Sequence, residues 1–198
     1  MRHLVITIGC EYGAKGNAIG RKIAEDLNIK FYNRDLVDEI IEEVGIPKEI
    51  MEKVEEGGTI AGKGAEGDVR GSFSKYADLT DRAIHVQKQI IRKLAEKESC
   101  VIIGRSADYI LKDRDDVLNV FIHGDMPEKT QRIMNLYNVG EKEAVKMMAD
   151  TDKRRMTNYN FYTEQKWGKA SNYTLSLNSS QLGYDRCEKI IMECICNS

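Results

Sequence analysis

Little in this sequence points to a membrane, a nucleic acid or a metal. The formal net charge is only -2 and the pI is about 6.0, so the chain lacks the overall positive field that binds nucleic acid. No apolar run approaches the ~20 residues of a membrane span. The three histidines, at positions 3, 85 and 123, share no metal-ligand spacing. We therefore expect neither nucleic acid nor a membrane as a partner.

The proline and cysteine contents give no sign of a proline-rich linker or a zinc site. Only 2 prolines occur, which excludes a proline-rich linker, and 198 residues with 41% hydrophobic content are suited to a single domain. The 5 cysteines are odd in number and match no zinc pattern. Reduced cysteines are typical of the cytoplasm, so we expect a cytoplasmic protein. The sequence carries no signal of an oligomeric state.

Alternating strand and helix patterns predict an α/β domain. Strands are predicted at 4–8, 30–32, 100–103, 117–122 and 173–177. Helices are predicted at 17–28, from a cap at Asn33 or Asp35 to Val44, and at 48–55, 79–97, 127–138, 141–156 and 185–195. Such alternation predicts a parallel sheet covered by helices on both faces. Residues 57–72 contain six glycines, and we interpret them as a mobile excursion within one domain, 1–198.

A glycine-spaced loop follows the first predicted strand and leads directly into a helix. Glycines at 13, 16 and 20 allow a tight turn and let phosphate oxygens approach backbone N–H groups at the helix N-terminus. The alternative is a strand-to-helix turn without a ligand. A dinucleotide site is a further alternative, because Asp35 lies where its ribose-binding acid would be. That site requires G-x-G-x-x-G, which the spacing here does not supply.

Three segments are predicted to line one crevice. Residues 9–16, 33–35 and 104–105 each follow a strand, and ligands of parallel sheets bind at the carboxyl ends of the strands. Arg105 leaves a buried strand at this edge, where a guanidinium can bind phosphate or carboxylate with two hydrogen bonds. A structural salt bridge is the alternative role for Arg105.

Further arginines follow the fourth strand. Arg132 lies on the next predicted helix, and Asp152, Arg154 and Arg155 lie at the end of the helix after it. Clustered arginines can neutralise the charge on a transferring phosphoryl group. A solvated charged helix face is the alternative.

The aromatic-rich segment 157–173 could be a lid or a loop packed on the core. Segments that combine basic and aromatic residues also occur in proteins that bind single-stranded nucleic acid, but the acidic pI argues against that interpretation here.

Several short motifs occur in a characteristic order. They are ITI at 6–8, EYG at 11–13, IGR at 19–21, FYNRD at 31–35, IGR at 103–105, YNFYT at 159–163 and WG at 167–168. Together they resemble the cytidylate kinase-like family of P-loop nucleoside monophosphate kinases, over most of the chain.

The resemblance implies a three-layer P-loop domain with a parallel five-stranded sheet. It also implies an acceptor-binding helical region at about 36–98 and a lid-like segment at about 150–170. The residues that would cradle the donor phosphates belong to the loop and the first helical turn: Gly13, Ala14, Lys15, Gly16, Asn17 and Ala18. Asp35 and Arg105 fall where acceptor-binding residues lie, and Arg132 falls where a donor phosphate is faced. Asp152 and Arg155 match a lid motif in which the aspartate reads cytosine and the arginine reads phosphate.

The sequence departs from a cytidylate kinase at three positions. The lysine position of the phosphate loop holds Gly16, with Lys15 one residue early. The position of the magnesium-binding hydroxyl holds Ala18, and an arginine expected four residues before Asp152 is Met148.

The function that this resemblance implies is ATP- and Mg²⁺-dependent phosphoryl transfer to a nucleoside monophosphate of CMP or dCMP type. Catalysis would depend on Lys15, Arg132, Arg154 and Arg155. The altered phosphate loop leaves two alternatives, a nucleotide-binding regulatory module with little or no turnover and a kinase of another small acceptor. A dinucleotide-dependent oxidoreductase is the third hypothesis.

Overall fold

The computed structural model describes residues 3–47, 49–51 and 69–196, and a five-stranded parallel sheet forms its centre. The strands are β1 (Val5–Cys10), β2 (Lys30–Tyr32), β3 (Cys100–Ile103), β4 (Val117–His123) and β5 (Leu175–Asn178). Their order across the sheet is β2-β3-β1-β4-β5, and every neighbouring pair is parallel. β1 is therefore the central strand, with the ends of β3 and β4 on either side of its own.

The sheet is buried on both faces, which explains why its strands are almost entirely apolar. Successive side chains of a strand point to opposite faces. Val5 and Ile102 accordingly belong to one core cluster, while Ile6 and Val101 belong to the other. Both clusters consist mainly of buried apolar side chains, as expected for a parallel sheet between two helical layers.

Helices form the two outer layers. They are α1 (Gly16–Leu27), α2 (Arg34–Glu43), α3 (Val69–Lys97), α4 (Ala107–Ile110), α5 (Met126–Tyr137), α6 (Glu141–Thr163), α7 (Ser179–Leu182) and α8 (Tyr184–Cys196). Residues 49–51 are also helical, and a 3₁₀ turn spans Ala170–Asn172. The cluster beneath α1 and α8 contains Ile23 and Ile191, and the cluster beneath α2 and α3 contains Ile41 and Ile91.

Two helices are longer than the sequence pattern predicted. α3 begins at Val69, not at residue 79, so residues 69–72 of the predicted excursion are helical; its other residues, 57–68, lie outside the described ones. Of the helix predicted at 48–55, only residues 49–51 are described. α6 continues to Thr163, whereas the sequence pattern predicted that this helix ends at about residue 156. Tyr159, Phe161 and Tyr162, which were expected in a lid or a loop after the arginines, are therefore part of the same helix as the arginines.

The strand order differs from that of a Rossmann fold, on which the dinucleotide-binding alternative depended. A Rossmann sheet has the order 3-2-1-4-5-6, in which the second strand lies beside the first. Here β3 lies between β1 and β2. The loops that follow β1 and β3 are consequently neighbours at the carboxyl edge of the sheet.

None of the helices within the described residues combines the length and the apolar character that a membrane span needs. Cys10, Cys100 and Cys187 are present as thiols.

Candidate active site

The loop between β1 and α1 is a tight connection that requires glycine. Gly13 and Lys15 adopt left-handed backbone conformations, with φ of 85° and 61°. A Cβ atom at Gly16 would lie 2.5 Å from Cys10 Cβ and 2.8 Å from Cys10 Sγ. Because the chain turns this closely, α1 begins at the carboxyl edge of the sheet, where the N–H groups of its first turn can face an anion.

Two arginines from outside the loop bind its carbonyl groups. Arg155 Nη1 on α6 donates a hydrogen bond to the Cys10 carbonyl oxygen at 2.8 Å. The Arg132 guanidinium on α5 donates to the carbonyl oxygen of Gly13. Hydrogen bonds from charged donors are stronger than neutral ones, so these contacts fix the loop conformation before any ligand arrives.

Two acidic side chains connect the same loop to helices α5 and α6. Asp152 Oδ1 accepts a hydrogen bond from the Tyr12 backbone N–H at 2.7 Å. Glu11 Oε2 accepts from Lys129 Nζ, also at 2.7 Å, and the Lys129 side chain is only 5% exposed. Burial raises the pKa of Asp152. Both carboxylates therefore stabilise the loop itself.

A cavity of about 450 Å³ opens beside this loop. Residues from all three segments that the sequence placed at one crevice line it, together with side chains from α3, α4 and α6. The lining includes Gly9, Cys10, Tyr12, Asn17, Arg34, Asp35, Gln87, Gly104, Arg105, Ser106, Asp108, Thr151, Arg154, Arg155, Asn158, Tyr159, Trp167 and Tyr173. Pockets for small ligands span roughly 300–1,000 Å³, so this one is large enough for a small molecule.

Four arginines converge on this cavity: Arg34, Arg105, Arg154 and Arg155. Burial lowers the pKa of Arg34 to about 9, and the positive charges of Arg105 and Arg155 contribute to the same lowering. Positive charges held close together in a partly buried site repel one another, and a bound anion relieves that repulsion. The charge of the cavity is therefore suited to an anionic ligand.

Arg105 has a structural contact as well as a place in the cavity lining. Its guanidinium forms an ion pair with Asp38 on α2, and its side chain is 5% exposed. Burial lowers the pKa of Arg105 and raises that of Asp38. The two roles left open by the sequence, anion binding and salt bridge, are therefore compatible in this fold.

The backbone that carries Arg105 is strained. Gly104, Arg105 and Ser106 have φ of 69°, 56° and 54°, so three successive residues are left-handed. Left-handed conformations of non-glycine residues cost on the order of 1 kcal/mol each. The segment is held by a hydrogen bond from Gln87 Nε2 to the Arg105 carbonyl at 3.2 Å. Strain of this kind clusters at functional sites.

The end of the cavity near α4 combines a carboxyl group with aromatic rings. The Tyr159 hydroxyl donates a hydrogen bond to Asp108 Oδ2 at 2.7 Å, and burial raises the pKa of Asp108. Trp167 and Tyr173 pack on Phe121, with ring centroids 5.3 Å and 4.9 Å away. Part of the predicted aromatic segment is therefore packed on the core and also lines the cavity.

A second cationic cluster lies around Tyr184, at the start of α8. Lys15 Nζ is 3.8 Å from the centroid of the Tyr184 ring. Arg132 donates a hydrogen bond to the Tyr184 hydroxyl as well as to the Gly13 carbonyl. Lys15 and Arg132 are not among the cavity-lining residues.

The structure thus divides the residues predicted from the sequence. Those that line the cavity are Asn17, Asp35, Arg105, Arg154 and Arg155, and those that do not are Gly13, Ala14, Lys15, Gly16, Ala18, Arg132 and Asp152. The second set belongs to the phosphate loop, to its supports, and to the Tyr184 cluster.

Arg34, Asp108 and Tyr159 line the cavity but were not among the individual site residues predicted from the sequence. Arg34 directly precedes Asp35 after β2, a position that already identified Asp35, so the same signal could have included it. Asp108 lies on a four-residue helix, and Tyr159 lies beyond the predicted end of α6. No periodicity in the sequence indicates their convergence.

The described part of the site offers no metal centre built from protein side chains alone. In the part of the chain that the structure describes, no three His, Cys, Asp or Glu side chains come together to hold a metal ion. Mg²⁺ in phosphoryl-transfer sites is bound chiefly by phosphate oxygens and water, with one or two carboxylates. The exposed Asp35 is the carboxylate in the lining that could fill that role.

The strand order, the β1–α1 loop and the convergent arginines define a P-loop kinase fold. The profile of the cytidylate kinase-like family matches residues 5–181. The chain belongs to this family.

Comparison with solved structures finds chains of the same fold. An uncharacterized protein from Eubacterium ventriosum ATCC 27560 is 30% identical, with a TM-score of 0.77, over 98% of this chain and 99% of that one. Shikimate kinases from Bacteroides thetaiotaomicron and Acinetobacter baumannii, the latter in complex with shikimate, share the fold at 14% and 16% identity. Their TM-scores are 0.54 and 0.53, and the matches cover 97% and 99% of this chain and 98% and 94% of theirs. No curated protein matches the sequence.

Proposed function

We propose that this chain transfers the γ-phosphoryl group of ATP to a nucleoside monophosphate of CMP or dCMP type. The observation that supports this proposal best is the convergence of Arg34, Arg105, Arg154 and Arg155 on a cavity beside the phosphate loop. Phosphoryl transfer requires mainly positioning and charge neutralisation, which such a cluster supplies.

The two sides of the β1–α1 loop are suited to different substrates, one to the phosphoryl donor and the other to the acceptor. Lys15 and Arg132, near Tyr184, are suited to contact the donor, and the first turn of α1 presents N–H groups to its phosphates. When bound, ATP with Mg²⁺ supplies the group that is transferred. The cavity arginines are suited to hold the phosphate of the acceptor.

Arg155 is suited to connect the two sides. It lines the cavity, donates to the Cys10 carbonyl at 2.8 Å, and its guanidinium carbon lies 5.5 Å from the centre of the Tyr12 ring. A cation fixed in this way needs little reorganisation as charge develops on the transferring group. We assign Arg155 the role of stabilising that charge.

A coupled assay of ADP release tests the proposal. ATP and Mg²⁺ are supplied with CMP, dCMP, UMP, AMP and GMP in turn, and with shikimate as a non-nucleotide acceptor. Turnover with CMP or dCMP supports the proposal. Turnover with shikimate alone contradicts the acceptor class while leaving the kinase assignment intact.

A nucleotide-binding module without turnover is the second candidate. Two observations favour it: Ala18 lacks a hydroxyl for Mg²⁺, and Lys15 lies over Tyr184, outside the cavity. Thermal stabilisation by ATP and CMP with no ADP release would identify this candidate.

A further inference from the structure

One face of α6 forms a wall of the cavity. Thr151, Arg154, Arg155, Asn158 and Tyr159 all line it, and their spacing of i, i+3, i+4, i+7 and i+8 is that of one helix face. At 1.5 Å per residue this wall is about 12 Å long. The cavity therefore extends well beyond the arginines and can hold more than a phosphate group.

The end of the wall beyond the arginines carries a carboxyl group. Asp108 lines the cavity there, is 8% exposed, and accepts the hydrogen bond from Tyr159 at 2.7 Å. Taking a carboxyl group out of water is costly, and the raised pKa of Asp108 reflects that cost. Phosphate binding does not require a carboxyl group. The oxygens of an ionised carboxylate only accept hydrogen bonds, and their negative charge would repel phosphate.

The surroundings of Asp108 suit a flat ring. Trp167 and Tyr173 line the same end of the cavity, and Asn158 lies beside Tyr159 on α6. Aromatic rings offer stacking surfaces to planar heterocycles, whereas carboxylate and amide groups read the hydrogen-bonding edge of a base.

Asp152, the residue that the resemblance assigned to base recognition, is engaged elsewhere. Its Oδ1 accepts from the Tyr12 backbone N–H at 2.7 Å, and it does not line the cavity. A base bound in the cavity would meet Asp108 instead.

We propose that Asp108, positioned by Tyr159, selects acceptors whose base carries an exocyclic amino group. This inference rests on the proposed function, because it names what the acceptor site distinguishes. The amino group of cytosine or adenine donates to the carboxyl oxygen of Asp108. Uracil and hypoxanthine present a carbonyl oxygen at the same place, which would face that oxygen with no hydrogen to share.

The test uses ligand pairs that differ only at this group, CMP against UMP and AMP against IMP. Dissociation constants are measured by calorimetry for the unmodified protein and for Asp108→Asn, since an amide can donate to a carbonyl as well as accept. We expect the unmodified protein to bind at least one amino-bearing member about tenfold or more tightly than its partner. In Asp108→Asn that ratio should fall towards one or invert.

Two further variants separate recognition from folding. Tyr159→Phe removes the hydroxyl that orients Asp108, so the preference should decrease without inverting. Asp150→Asn makes the same chemical change at an exposed position of α6, and its preference should equal that of the unmodified protein. If Asp108→Asn does not fold, the preference of Tyr159→Phe decides the question.

The outcomes are distinguishable. Equal affinities within both pairs, or an unchanged preference in Asp108→Asn, overturn the role of Asp108 and leave the proposed function standing. Failure of the unmodified protein to bind any of the four monophosphates overturns the proposed function and this inference together.

Discussion

Arg34 offers the sharpest test of the anion site, because its replacement should separate stability from binding. Burial and the neighbouring charges of Arg105 and Arg155 lower its pKa from 12.5 to about 9. A lowering of that size represents repulsion and desolvation of a few kcal/mol, to order of magnitude. In the absence of an anion, Arg34→Gln should therefore unfold with a free energy that is unchanged within ~1 kcal/mol, or higher.

Binding should respond in the opposite direction. Phosphate at 100 times its dissociation constant stabilises a protein by about 2.7 kcal/mol. A hydrogen bond to a charged group contributes roughly 1.5–3 kcal/mol, so the loss of Arg34 should weaken phosphate binding about tenfold or more. At the same phosphate concentration the stabilisation then falls to about 1.4 kcal/mol or less.

Thermal unfolding with and without inorganic phosphate measures both effects. For a chain of this size the phosphate-induced rise in Tm should be about 5–10 °C in the unmodified protein and about half of that or less in Arg34→Gln. Arg82→Gln removes the same charge from an exposed position and is the matched control. Loss of more than about 2 kcal/mol of stability in Arg34→Gln, with the phosphate shift intact, would refute the assignment of an anion site.

Three further predictions concern the loop and its neighbours. Gly16→Ala should lower the free energy of unfolding by about 1–3 kcal/mol in urea denaturation, because its Cβ would overlap Cys10, and Cys10→Gly should restore part of the loss. Arg105→Met should lower the free energy of unfolding by about 3–5 kcal/mol, because it leaves the Asp38 carboxylate buried without its cation. Adding Asp38→Leu should recover most of that stability. Equal stability of the single and double variants would count against a buried ion pair. Arg155→Ala should lower kcat in the ADP-release assay with a cooperative unfolding transition retained, and an unchanged kcat would remove Arg155 from the mechanism.

The sheet could be predicted because buried parallel strands leave a clear pattern. Val101 and Ile102 face opposite layers of the fold and are both fully buried, so apolar residues follow one another without alternation. The start of α2 was also predictable, with Asn33 as one of two candidate caps. Asn33 Oδ1 accepts a hydrogen bond from the Leu36 N–H at 2.9 Å. Both signals depend on residues that are near in sequence.

The length of α6 could not be predicted in the same way. Its polar first half packs mainly through Ala144 and Met148, whereas Tyr159 in its second half is buried against Asp108, 51 positions away. No single hydrophobic stripe marks the helix from end to end, so the change from charged to aromatic residues resembled a helix end. The contact that continues the helix is a tertiary one.

The order of segments along the chain is sufficient to predict the α/β class, the glycine loop and the edge of the sheet at which the cavity opens. Each follows from local chemistry, namely apolar strands, glycine turns and the rule that parallel strands share one carboxyl edge. Which charged residues come together, in contrast, depends on the packing of the helices over the sheet. In the folded chain Arg34 lies near Arg105 and Arg155, while Lys15 and Arg132 lie in the Tyr184 cluster. Asp152 binds the backbone of the β1–α1 loop. Those placements depend on how helices that are distant in sequence pack over the sheet. The sequence spacing of long, flexible side chains does not indicate that packing.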